Sequence, residues 1–134
     1  METTIEQARG TVTFKVNDKV EYKIKVTWQY VHEVEAKVAS MTTLLNKVSM
    51  YALSQKDIAL LLFHGTRTTK DAPTYEELSQ LVFEEGVDGF LEGVAEIIKF
   101  SLGGSKNWKE VPEKTVAQQE QEEAEPSEKK LTSP

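Results

Sequence analysis

The chain has 134 residues, no cysteine, 39% hydrophobic residues and a formal net charge of −6. That length favours one domain with room for a tail. The missing thiols exclude disulfide frameworks, cysteine-based zinc sites and cysteine nucleophiles. The acidic balance disfavours a grip on nucleic acid or on anionic lipid, both of which need clustered Lys and Arg.

Residues 1–10 are polar and end in Gly10, which predicts a flexible N-terminus. Met1-Glu2-Thr3-Thr4 lacks the basic start and apolar run of a signal peptide, so a soluble cytoplasmic protein is expected. Alternation then begins: Val12, Phe14 and Val16 point one way, and Thr11, Thr13 and Lys15 the other. After Asn17-Asp18-Lys19 it resumes with Val20, Tyr22, Ile24, Val26 and Trp28 against Glu21, Lys23, Lys25 and Thr27. Period two on both sides of a short turn predicts a β-hairpin with one buried face. Two strands are marginal alone, so the hairpin should lie on helices or pair with another chain.

From Gln29 the period lengthens. Val31, Val34, Val38 and Met41 recur at helical spacing, and Leu44, Leu45, Val48 and Tyr51-Ala52 continue the pattern after a break at 40–43. The segment Ser54-Gln-Lys-Asp-Ile-Ala-Leu-Leu-Leu-Phe-His-Gly65 follows. Ser54 is a good N-cap, Asp57 sits at the capping-box position, and Gly65 stands where a C′ glycine ends a helix. The stretch Ile58–Phe63 is apolar on every side, which predicts a core helix with no solvent face. Twelve residues are too few to span a bilayer.

Thr66–Ala72 reads as a loop. Thr74 and Glu77 form a second capping box after Pro73, with Leu78, Leu81 and Val82 facing inward and Gly86 stopping the helix. Asp88 is a candidate cap for a last helix whose face is Phe90, Leu91, Val94, Ile97, Ile98 and Leu102, ended by Gly103-Gly104. Beyond it the chain turns polar and Glu-rich. The expected organisation is a flexible 1–10, a single α+β domain over 11–104 that is mostly α, and a disordered acidic tail over 105–134, whose first few residues Trp108 could dock. In this fold class an N-terminal β-hairpin packs on a bundle of four to five short helices.

Catalytic signatures are absent from the sequence. His32 lies in His-Glu-Val-Glu, without the second histidine one turn on that a zinc site of this kind requires. His64 falls at a helix C-terminus, where an imidazolium suits the dipole. Glu76-Glu77 sits in a helix's opening turn, where negative charge is simply stabilising, so neither it nor Glu84-Glu85 needs acid–base work to explain it. Gly86-Val-Asp-Gly89 and Gly103-Gly104-Ser105-Lys106 fit no phosphate-loop spacing and read as helix punctuation. The helix pairs carry no Lys/Arg row that would read DNA. Phe14, Tyr22, Trp28 and Tyr30 are expected in the core. Phe83, Val87, Phe100 and Leu60 fall off the main buried stripes. Phe83, Val87 and Phe100 are the candidate partner-binding residues, and no catalytic, metal or cofactor residue is expected.

Two stretches carry a resemblance. Val12-Thr-Phe-Lys-Val-Asn-Asp-Lys-Val-Glu-Tyr-Lys-Ile24, followed by the apolar helix ending in His64-Gly65 and by Pro73-Thr-Tyr-Glu-Glu-Leu78, resembles the tail assembly chaperones of long-tailed bacteriophages and prophages over about residues 10–104. The central helix is more hydrophobic than that pattern, and Trp28 departs from it. The resemblance implies a non-enzymatic chaperone of the host cytoplasm, absent from the mature virion, that binds the tape-measure protein and helps recruit the tail tube protein. It also implies a frameshifted longer form of the chain, for which Lys129-Lys130 is the candidate slip site, and leaves room for an oligomer. The alternatives are another small acidic chaperone that holds a client by strand addition, or a structural tail-completion protein forming a ring.

Overall fold

A computed structural model describes residues 1–105. The order is β1 (Glu2–Glu6), a 3-10 turn (Gln7–Arg9), β2 (Thr11–Lys15), β3 (Glu21–Lys25), α1 (Trp28–Lys37), α2 (Met41–Ser49), α3 (Gln55–Thr66), α4 (Tyr75–Glu85), a 3-10 turn (Val87–Phe90) and α5 (Leu91–Gly103). It is an α+β domain, mostly α, with the sheet laid on the helices. The expected acidic tail lies outside the described residues, save Ser105.

The hairpin is present, and it is part of a three-stranded antiparallel sheet of order β1-β2-β3. Residues 2–6, expected to be a loose lead-in, form its first strand. Gly10 makes that possible: it takes a left-handed conformation at φ 59°, turning the chain back into β2. Pairing places Ile5 beside Val12 beside Ile24, and Thr3 beside Phe14 beside Tyr22, on the inner face. The outer face carries Glu2 beside Lys15 beside Glu21, opposite charges in neighbouring positions that favour this register. Asn17 closes the β2–β3 turn by accepting from the Lys19 and Val20 amides through its Oδ1.

The strand-like alternation fails at Trp28. Thr27 caps α1 by accepting from the Tyr30 amide, so the helix starts where the sequence predicts strand. Trp28 consequently points outward and is 68% exposed rather than in the core. Ser40 caps α2 in the same way through the Thr43 amide, within the predicted break.

Both predicted capping boxes are formed, Ser54 with Asp57 on α3 and Thr74 with Glu77 on α4. Asp57 also binds Lys47 of α2 at 3.2 Å. On α3, Ile58, Ala59, Leu61 and Leu62 are completely buried, while Leu60 and Phe63 are half-buried. Gly65 does not end this helix. It lies inside it, and a Cβ there would stand 2.5 Å from Ile24 Cδ1 and 2.8 Å from Ile24 Cγ2. The glycine lets the helix pass under β3 and beside the Tyr30 ring. Gly93 of α5 does the same under β2, where a Cβ would strike the Phe14 ring. Phe14 also meets Phe90 at 5.5 Å between ring centres. Asp88 does not cap α5: the residue at that position is Phe90, with no side-chain cap bond. Leu102, expected on the buried face, is exposed near the end of α5.

Candidate functional site

Two regions hold side chains that the fold does not explain trivially. The first is a polar cluster between α1 and α3. Their packing aligns Glu33 on α1 with the last turn of α3. Glu33 Oε2 lies 2.5 Å from His64 Nδ1 and 2.5 Å from Arg67 Nη1. A carboxylate only accepts, so His64 donates through Nδ1. Burial pushes the Glu33 carboxyl up, but the bonds and charges of His64 and Arg67 outweigh it and hold the group below its ordinary range. One turn away the Tyr30 hydroxyl donates to the Leu61 carbonyl at 3.0 Å, and burial pushes that phenol well above its ordinary value. The His64 side chain is almost fully buried and stacks edge-on against Phe63. Each donor and acceptor named here meets a partner inside the protein, so the cluster acts as a clamp between two helices. His32 is exposed and sits edge-on to Trp28, 5.4 Å between ring centres. Among the described residues no group of three or more His, Asp or Glu is placed to hold a metal ion.

The second region is the helical surface. Phe83, near the end of α4, is 71% exposed. Val87 follows just past Gly86 and is half-buried against the core. Phe100, expected at a partner surface with them, is 6% exposed and belongs to the core. It faces inward because α5 buries Val94, Ile97 and Ile98 along a broad stripe that takes in position 100 as well. At the far end of α2, Met50 and Tyr51 are 69% and 83% exposed.

Comparison with known proteins finds no counterpart. No protein-family model, curated protein or solved structure matches the chain.

Tyr51-Ala52, expected to continue the helical pattern, lie beyond the end of α2 at Ser49, which closes on Met50. The Ala52 amide reaches the Lys47 carbonyl at 2.7 Å and the Tyr51 amide reaches the Val48 carbonyl at 3.1 Å. This pair of bonds is the helix-ending motif that ordinarily has glycine at its left-handed position. Here that position is Tyr51, at φ 55°. A bulky side chain is strained there. The Glu33–His64 contact joins residues 31 apart and has no local signal. No helix among the described residues is long and apolar enough to cross a membrane.

Proposed function

We propose that the chain is a non-catalytic chaperone that holds another polypeptide, of the kind serving tail assembly in long-tailed bacteriophages. Its client would be the tape-measure protein, with the tail tube protein as second partner. It would act in the host cytoplasm and be absent from the finished virion. The observation that carries this reading is the strong exposure of Phe83, Trp28, Met50 and Tyr51. Large apolar side chains held in water on helix surfaces are what a groove or helix binder offers. The element order, a sheet from an N-terminal hairpin followed by short helices, agrees with the resemblance carried by Val12–Ile24 and Pro73–Leu78.

The test is co-expression with a tape-measure protein of a long-tailed phage or prophage from the same genome. The client should move from the pellet to the soluble fraction when the chain is present. A client equally insoluble with and without it would refute the reading.

One observation favours a second mode of holding a client. Strands β1 and β3 are the outer strands of the sheet, and among the described residues neither pairs with a further strand. An extended client segment could add to either edge. Proline substitution within β1, at Thr4, would then weaken client binding, whereas substitutions at Phe83 would not.

A further inference from the structure

We infer that the last turn of α4, with Phe83 at its centre, is a docking site for a cationic amphipathic helix of the client. The inference rests on the chaperone reading and specifies the chemistry of what is bound. Three features fall together in the last turn of α4: an exposed ring, two carboxylates and the helix end at Gly86. Phe83 is 71% exposed. Glu84 and Glu85 follow it, both exposed, in the last turn of a helix with no basic residue there. Beyond Gly86, Asp88 and Glu92 are exposed as well. None of these four acids makes an ion pair among the described residues; in this part of the chain only Glu96 does, with Lys99.

The position of Glu84 and Glu85 is what makes this more than a solvated face. A helix C-terminus already carries partial negative charge from its free carbonyls, so acids there oppose the dipole. Lysine would suit the dipole better. The chain instead places two carboxylates, the negative end of a helix and an unshielded aromatic ring together. A cation benefits from all three, because carboxylates and carbonyls attract it and the ring face attracts it too. An apolar residue on the same partner would cover Phe83. Nucleic acid and anionic lipid are repelled by this surface, which leaves a polypeptide bearing Lys or Arg one helical turn from an apolar stripe. Gln80 already donates to Glu84 at 3.0 Å, holding that carboxylate in place on the same face.

The test uses the full chain and two synthetic amphipathic helices, one with arginines flanking a leucine stripe and one with glutamates in their place, read by fluorescence anisotropy. The arginine peptide should bind with an affinity that falls as salt is raised, and the glutamate peptide should not bind. Glu84→Lys/Glu85→Lys and Phe83→Ala should each weaken the arginine peptide by roughly tenfold or more. Glu6→Lys, on the outer face of the sheet, should leave its affinity unchanged. The charge-reversed protein should also melt no lower than the parent, since it removes a conflict with the dipole. Equal binding of the two peptides, or full binding by the charge-reversed protein, overturns the proposal. Co-expression separates it from the chaperone reading. A charge-reversed protein that keeps the tape measure soluble sinks this surface alone. A parent chain that fails to do so sinks the chaperone reading, while the peptide result still decides the surface.

Discussion

The contact between α1 and α3 and the last turn of α4 use the same residue types in opposite ways. In the first, an aromatic, a carboxylate, an imidazole and a guanidinium are paired off: Tyr30 with Leu61, and Glu33 with His64 and Arg67. Gly65 lets the two layers close together. In the second, an aromatic and neighbouring carboxylates stand in water without a cation. Burial alone does not distinguish the two regions, because Glu33 and Arg67 are themselves partly exposed. The difference is whether the carboxylates find a counter-charge within the same molecule. Saturated clusters hold this fold together, and unsaturated ones are where another molecule can contribute.

Substitutions can break that contrast, beginning with the closed side. Phe14→Ala removes the ring that packs on Gly93 and Phe90, and should cost about 3–5 kcal/mol in chemical unfolding. Gly65→Ala should cost about 1–3 kcal/mol, because the new methyl meets the Ile24 side chain and the helix must shift. Were Gly65 in open space within the helix, alanine would stabilise the protein through its better helix propensity, so the sign of the change tests the close approach to Ile24.

Glu33→Gln should cost about 1 kcal/mol near neutral pH. Its pH dependence gives a sharper test. The carboxyl is held below its ordinary range in the folded state. It therefore contributes stability that is fully present above the unfolded carboxylate pKa and is lost as pH falls through the folded value. The glutamine variant should lack that part of the acid-side loss, so the two melting curves should converge as the pH is lowered.

On the open side the signs change. Tyr51→Gly should stabilise the protein by about 1 kcal/mol, since glycine takes φ 55° without strain. Phe83→Ala should alter stability by less than about 0.5 kcal/mol. A large loss from Phe83→Ala would show that the ring is part of the core's support and would erase the distinction between the regions.

Much of the fold was legible because it is written locally. Ser54 with Asp57 and Thr74 with Glu77 announce their helices within four residues. The alternation through Val12, Phe14, Tyr22 and Ile24 gives the correct inner face. Strand β1 was not legible, since Thr3-Thr4-Ile5 offers one strong apolar residue and its pairing is enforced by β2 and α5. Trp28 misled because Thr27 suits both an outward strand position and a helix cap, and the cap bond prevailed. Gly65 misled because a glycine at the end of an apolar run looks like a stop unless the neighbour it accommodates is known. For the candidate surface, Phe83 and Val87 were visible as residues off the buried stripe. Phe100 was placed with them wrongly, since the width of the buried stripe on α5 depends on how many neighbours that helix meets.

The packing of Gly93 beneath Phe14 and Thr3 brings the last described helix against the first strands. On a ribosome those partners are made at opposite ends of the job. The sheet emerges early; α3 can close under β3, but the inner face of β1 and β2 must wait until some eighty further residues have been synthesised and α5 can slide beneath it. A nascent chain stalled before Leu91 should therefore remain protease-sensitive at β1 and β2, and the molecule would itself be a substrate for holding factors until its last described helix is free.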